Sequence, residues 1–344
     1  MRNLVSVQKI KDIQPIEDAD RIEVATILGW KLVIKKNEFK VGDKCAYFEV
    51  DSFLPIEEKY EFLRTSSYRK HEYLGEGFRI KTQKLRGQIS QGLALSLAAL
   101  GLPEDMEIGT DLTELLHVQK WESVDKLSDI GVLSEFPDGI SKTDETRIQT
   151  IYDEMMQEFA GLPYYISTKI DGMSVTMYRE NGKFGVCTHK NEVKETEENK
   201  SFLWDFAREL NIEAKMIENG YDNLYIQGEF AGPKIQKNRL QLKTHNWFVF
   251  TIINLSTGRR LNYHDMMEVA KTLGLTTVPI EEIGEDLQRK YPTLDSLLKR
   301  AMGKYESGQN KEGIVIRPLE PVYSRTLGVS LSFKVLNNAF LLKE

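Results

Sequence analysis

Four things are scarce or missing in this chain: cysteine, long apolar runs, an excess of basic residues, and repeats. Each shortage excludes a class of function. Cys45 and Cys187 are the only thiols in 344 residues. Two thiols cannot build a four-thiolate zinc site, and so few suit a reducing, intracellular compartment, with the cytoplasm the expected location. Both are expected to be small buried packing residues. No apolar stretch is long enough to cross a bilayer, and no signal-peptide pattern is read at the N-terminus, so no membrane partner is expected. The formal net charge is −6, whereas a protein that holds nucleic acid by bulk electrostatics is usually basic. That total still allows an enzyme with a local basic groove, because focused fields matter more than the sum. No internal repeat or low-complexity tract is present. The composition, 41% hydrophobic and 28% charged, is that of a globular chain with enough length for roughly two domains.

Residues 1–118 read as many short strands. Val5–Ile10, Ile22–Ile27, Lys31–Ile34 and Cys45–Val50 mostly alternate, and Gly29, Gly42 and Gly75-Glu76-Gly77 punctuate them. Evenly spaced short strands with turn signals predict a small closed β-barrel. Residues 119–143, with Pro137 and little periodicity, read as a linker packed through Trp121 and Phe136. Thr143 or Asp144 is a candidate cap for a helix carrying Ile148, Ile151, Tyr152, Met155 and Met156. From 163 onward strands dominate. Asn181-Gly182 between two alternating runs predicts a hairpin. Helices are expected over 199–218, 263–273 and 294–305. Strands are expected at 224–229, 247–254, 313–317 and 331–336. The expected fold class is α+β: an N-terminal barrel over 1–118, a linker over 119–143, and a mainly antiparallel second domain over 144–344.

Within that second domain, Tyr164 to Val175 reads as a buried strand, a tight exit and a second strand. Lys169 and Asp171, two apart, point to the same side, and Gly172 permits backbone angles that other residues resist. Alone, the pair reads equally well as a surface ion pair. Four further stretches put charge or aromatics in apolar strands: Gly228-Glu229-Phe230, Trp247-Phe248-Val249-Phe250, Lys311-Glu312-Gly313 and Ser332-Phe333-Lys334. Singly, these also have ordinary readings as strand-end acids, core aromatics and a snorkelling lysine.

Taken in order, these stretches resemble the covalent nucleotidyltransferase superfamily of ligases and capping enzymes, with Lys169-Ile170-Asp171-Gly172 as the nucleophile motif. The match covers roughly residues 144–336. Thr143 to Gln149 and Ile235 to Arg239 resemble stretches of RNA ligases. Pro15 to Ile22 and Val50 to Pro55 resemble the N-terminal OB module of the ATP-dependent RNA ligases of the Deinococcus type. The resemblance therefore implies an OB-like barrel followed by a nucleotidyltransferase domain of ATP-grasp-like antiparallel sheets and helices. The chain ends ten residues after Lys334, so the C-terminal OB domain of DNA ligases and capping enzymes is not expected. Ser174, His189 and Ser332 depart from common patterns. His189 stands where relatives often have an arginine, and Ser332 where some have a second lysine.

What the resemblance implies chemically is three nucleotidyl transfers. Lys169 attacks the α-phosphorus of ATP, AMP passes to an RNA 5′-phosphate, and a 3′-hydroxyl then displaces AMP. Nicks with RNA on the 3′-hydroxyl side are the expected substrate. An ordinary lysine is protonated at neutral pH, and a nearby cation favours the neutral amine. Mg²⁺, or Mn²⁺, is expected near Asp171, Glu229 and Glu312, partly through water. Lys311 and Lys334 are expected on the α-phosphate, Phe250 then Phe248 against adenine, and Arg147, Thr168, Ile170 and Gly172 around the nucleotide. Arg79, Lys81, Lys84 and Arg86, interleaved with aromatics, suit an RNA face. Core aromatics in a solvated loop read about as well. Lys237 and Arg239 are expected on the phosphate backbone beside the active site. A monomer is expected. The rival readings are a DNA ligase of the same superfamily and an inactive nucleic-acid-binding protein.

Overall fold

The computed structural model describes residues 3–122, 131–137, 144–195 and 201–343. Thr143 and most of the expected linker, 123–130 and 138–143, lie outside the described residues, as do residues 199 and 200 of one expected helix. The chain divides into two compact units, one of Met1–Val124 with Gln149–Tyr152, the other of Asp125–Ile148 with Asp153–Lys343.

In the first unit the strands are β1 (Val5–Pro15), β2 (Ile22–Ile27), β3 (Trp30–Lys35), β4 (Lys44–Phe48), β5 (Ser52–Leu54), β6 (Tyr68–His71), β7 (Gly75–Arg79), β8 (Gln83–Leu85), β9 (Gln88–Ser90), β10 (Leu93–Leu95) and β11 (Gln119–Lys120). One sheet runs β10–β4–β1–β2–β3 and another β11–β5–β7–β6. Strand β1 is longer than its alternating core suggests, because its first half pairs with β4 and its second with β2. The register shifts between Ile10 and Asp12. A bulge at that point bends the strand, which is how one strand serves two directions in a curled sheet. Inside, Trp30, Tyr47, Phe48, Tyr60 and Phe78 are wholly buried, each contributing on the order of 1.5–3 kcal/mol through burial. Cys45 and Cys187, one in each unit, are free and buried, as expected.

The second unit holds β12 (Val132–Glu135), β13 (Tyr164–Lys169), β14 (Met173–Glu180), β15 (Lys183–Thr188), β16 (Asn191–Val193), β17 (Leu224–Ala231), β18 (Asn246–Asn254), β19 (Arg259–Arg260), β20 (Thr276–Thr277), β21 (Ile280–Gly284), β22 (Gly313–Pro318) and β23 (Phe333–Leu336). They form a sheet β12–β16–β15–β14–β17–β18–β19, with β20 beside β18, and a smaller sheet β21–β13–β22–β23. All pairings are antiparallel except β18 with β20. Strand β12 falls inside the segment read as a linker, and pairs with β16. Asn181 and Gly182 close the β14–β15 hairpin with φ of 49° and 80°, the left-handed pair that a tight two-residue hairpin turn demands.

The sequence predicts one helix over 199–218, but two are found, Phe202–Glu209 and Ile212–Glu218. Asn211 between them adopts φ 54°, a left-handed residue that ends a right-handed helix. The helix Tyr263–Leu273 matches its expected span. Asn262 caps it by accepting from the Asp265 amide at 2.8 Å, and Gly274 terminates it at φ 68°. A core of Met173, Val175, Met177, Phe230, Trp247 and Val249 with the helices Phe202–Glu209 and Tyr263–Leu273 stiffens the larger sheet behind the charged residues.

Candidate active site

Lys169 is the last residue of β13, whose preceding five residues are buried. The β13–β22 ladder runs from Tyr164↔Pro318 to Lys169↔Gly313. The β22–β23 ladder pairs Val315 with Lys334. Residues opposite one another, or two apart, share a face of a sheet. Lys169, Val315 and Lys334 therefore lie on one face. Gly313 sits at the rung beside Lys169 because a Cβ there would lie 2.2 Å from the Val335 carbonyl oxygen.

Three carboxylates approach this point. The Lys169 ammonium lies 2.8 Å from Glu312 Oε2. Glu229, in β17 opposite Ser174 and Phe248, accepts from the Gly172 amide and feels the charge of Lys169. Asp171 is held by Arg239 Nε at 3.0 Å. Burial works against the charge on Lys169, but the Glu312 and Glu229 carboxylates outweigh it and hold the ammonium above the ordinary lysine range. Glu229 is pushed up to about 8, first by burial and then by the nearby Glu312 and Asp171 charges, which together outweigh Lys169. Lys334 is driven below the ordinary lysine range by burial and by the Lys169 and Arg147 charges, although it reaches Asp144 Oδ1 at 2.9 Å. Asp144, singled out in the sequence only as a helix cap, is thus an ion-pair partner inside the site.

Gly172 has another role than the one its residue type suggests. Its φ is not positive, so backbone freedom is not what the position uses. A Cβ at Gly172 would lie 2.4 Å from the Phe230 carbonyl oxygen and 3.0 Å from Glu229 Cγ. The position requires glycine for close approach of β17.

Lys311 is not brought to Lys169. It lies next to Glu312 in the chain, and adjacent residues in extended backbone face opposite ways. Lys311 is only 5% exposed and pairs with Glu281 Oε1 at 2.5 Å. Glu281 also accepts from Thr168 Oγ1 at 2.7 Å and Arg300 at 2.6 Å. The Thr168 amide donates to the Pro279 carbonyl at 2.9 Å. Strand β21, which carries Glu281, is absent from the sequence expectation, since Ile-Glu-Glu-Ile-Gly has little β-propensity.

Ile170, Phe248, Phe250 and Tyr305 meet in one apolar cluster with Ala231 and Val278. Phe248 is buried at its ladder position. Phe250 is the extra residue of a bulge, because Gly228 pairs with Val249 while Gln227 pairs with Thr251. The bulge leaves Phe250 half-buried, with the Arg317 guanidinium 5.6 Å from its ring. Arg147 is buried and bridges to Lys334 in the backbone. His189 is half-buried just beyond β15.

The residues expected to meet RNA divide. Arg79 pairs with Asp51 at 3.1 Å and stacks 5.0 Å from the Trp121 ring. Lys81 is half-buried. Lys84 and Arg86 are exposed on the β8–β9 hairpin, whose turn is Arg86-Gly87 at φ 47° and 81°. Lys237 is exposed. Arg239 is 8% exposed, packed 4.1 Å from the Phe340 ring and bound to Asp171, so it is a partner of the aspartate rather than a surface grip on phosphate. Tyr305, which no sequence signal marked, reaches both halves of the site: its hydroxyl lies 2.8 Å from the Lys169 carbonyl oxygen and 3.0 Å from the Glu312 amide.

A family model for an OB-fold domain matches residues 4–97, and one for RNA ligase matches residues 162–336. Among solved structures, the chain is similar to an RNA ligase of Naegleria gruberi. A lysine-to-alanine variant of that protein with ATP and Mn shows 32% identity and a TM-score of 0.88 over 99% of each chain. A glutamate-to-alanine variant with AMP and Mn gives 32% and 0.89, over 100% of this chain and 99% of that one. The same ligase with PPi gives 32% and 0.88 over the same shares. Comparison with curated proteins gives no match.

Proposed function

The chain belongs to the RNA ligase family, and from that membership we propose that it joins a 3′-hydroxyl to a 5′-phosphate through a lysyl-adenylate on Lys169. It is an ATP-dependent RNA ligase with an N-terminal OB-fold domain, and it uses a divalent metal ion. One observation carries the finer reading: Lys169 ends a buried strand 2.8 Å from Glu312, beside Glu229 and on the same sheet face as Lys334.

The residues fit a divalent cation. Their donors are all carboxylate oxygens, as Mg²⁺ prefers, and Glu229 is raised first by burial and then by the Glu312 and Asp171 charges, so a cation beside it would favour its ionised form. Among the described residues no three acids, histidines or cysteines stand close enough to chelate an ion by themselves. Glu312, Glu229 and Asp171 would hold it, partly through water. There it supplies positive charge that favours the neutral amine and offsets charge developing on phosphate.

Lys169 then attacks the α-phosphorus. A P–N bond forms, the P–O bond to the β-phosphate breaks, and pyrophosphate leaves. The amine proton has a carboxylate acceptor in Glu312. Lys334 lies on the same face to stabilise phosphate charge, and the Ile170–Phe248–Phe250 cluster offers an apolar wall for adenine. AMP next passes to the RNA 5′-phosphate, freeing Lys169. The 3′-hydroxyl finally attacks that phosphate and AMP leaves. The preferred substrate is a nick with RNA on the 3′-hydroxyl side, as in ligases of the Deinococcus type, handled by a monomer in the cytoplasm.

The test is incubation with ATP labelled at the α-phosphate and Mg²⁺ or Mn²⁺. The protein is expected to take up covalent label, and Lys169→Ala to take up none. Label that survives in Lys169→Ala sinks the mechanism. Equal sealing of all-DNA nicks and of nicks with an RNA 3′-hydroxyl sinks the RNA preference.

A further inference from the structure

We propose that Tyr305 is a positioning residue for adenylyl transfer, its hydroxyl acting as a final rung that holds the Lys169–Asp171 segment against Glu312. The proposal rests on the ligase reading of Lys169. The β13–β22 ladder ends at Lys169↔Gly313. The residues that do chemistry lie at that rung and just past it. Tyr305 Oη fills the gap. It donates to the Lys169 carbonyl at 2.8 Å, and accepts from the Asp171 amide at 3.1 Å and the Glu312 amide at 3.0 Å. A phenol has one proton and two lone pairs, so its full capacity goes to the backbone of three motif residues.

The ring is held firmly enough for this task. It packs in the Ile170–Phe248 cluster. Its loop is closed by Tyr305 N–H to the Gln309 carbonyl at 2.9 Å and by Gly308 N–H to the Tyr305 carbonyl at 2.9 Å. Asn337 Nδ2 ties the loop base by donating to the Gly303 and Lys311 carbonyls at 3.2 and 2.9 Å. Deleting the hydroxyl leaves two amides and a carbonyl without this partner, on both sides of the Lys169–Glu312 pair. Displacements near 1 Å at a reacting centre can cost about a hundredfold in rate.

The experiment is single-turnover labelling with α-labelled ATP and Mg²⁺ over a range of ATP concentrations, normalised to folded protein. It compares wild type, Tyr305→Phe and Tyr291→Phe. Tyr291 is a suitable control, because its hydroxyl donates to Glu282 Oε2 at 2.8 Å within the same unit but away from Lys169. Tyr305→Phe is expected to slow lysyl-adenylate formation at saturating ATP by roughly ten- to a hundredfold, with little change in the ATP concentration for half-rate. The amides of Asp171 and Glu312 should exchange hydrogen faster in Tyr305→Phe alone. Wild-type rate in folded Tyr305→Phe, an equal loss in Tyr291→Phe, or unchanged exchange at both amides overturns the positioning role. An unlabelled wild type overturns the ligase reading and this proposal with it.

Discussion

Glu229 shows how burial and neighbouring charge set the protonation of one carboxyl group. Its carboxyl is raised from an unfolded value near 4.3 to about 8. The sign follows from linkage. Below about pH 4.3 the group is protonated in both states and costs nothing. As pH rises towards 8 the unfolded state ionises freely while the folded state resists, so metal-free stability falls across that window. Glu229→Gln removes the group. In EDTA its melting temperature should therefore stay flatter than the wild type's between pH 5 and 8.5, and exceed it at the upper end. Added Mn²⁺ should raise the wild type and leave the variant nearly unmoved. Parallel melting profiles by calorimetry would show that the Glu229 carboxyl is not raised in the folded protein. Lys169 stood out in the sequence as the candidate nucleophile because five motifs stand in order around it. Arg239 was not legible as the partner of Asp171, since a basic stretch reads as surface until its burial is known.

At the level of strands, the candidate site depends on two close approaches, at Gly172 and Gly313, and one alternation. Gly172 lets β17 come near enough that the Phe230 oxygen would touch any Cβ. Backbone cannot swing aside as a side-chain tip can. Gly172→Ala is expected to cost roughly 1–3 kcal/mol through overpacking, read by urea melts. It should also depress self-labelling more than stability alone explains, because Glu229 Cγ lies in the same path. A variant with wild-type melting and labelling would remove the close-approach argument. The alternation concerns Lys311 and Glu312. One step along an extended chain turns a side chain to the other face. That step sends Glu312 to Lys169 and Lys311 to Glu281. Both charges were visible in the sequence, but which of the two faced Lys169 was not, because Glu281 arrives on a strand with no strong sequence signal. Strand β12 escaped for the same reason: all four of its residues are exposed, so it has no buried alternation to read.

Over the whole molecule, the N-terminal unit carries its own basic hairpin. Lys84 and Arg86 stand exposed at its tip, while Arg79 is occupied with Asp51 and Trp121. This argues for testing the tip instead of Arg79. Lys84→Ala with Arg86→Ala should weaken binding to a nicked RNA-containing duplex and reduce the salt slope by up to roughly 2, about one unit for each phosphate no longer neutralised. Self-labelling should be unchanged. Binding that is unaltered across a salt titration would return the hairpin to an ordinary solvated turn.

The sequence by itself determined the fold class, most strand and helix positions, and the order of the motifs from which the chemistry is proposed. Those are properties of local alternation, turn residues and motif order, all of which are written along the chain. Tertiary structure alone decided the pairings: Arg239 with Asp171, Asp144 with Lys334, Glu281 with Lys311, and Tyr305 with three backbone groups. The ion pairs among them join positions from 30 to 190 residues apart. The physical reason is that a long-range ion pair or hydrogen bond depends on burial and on which face a strand presents. Neither is set until the two sheets have packed.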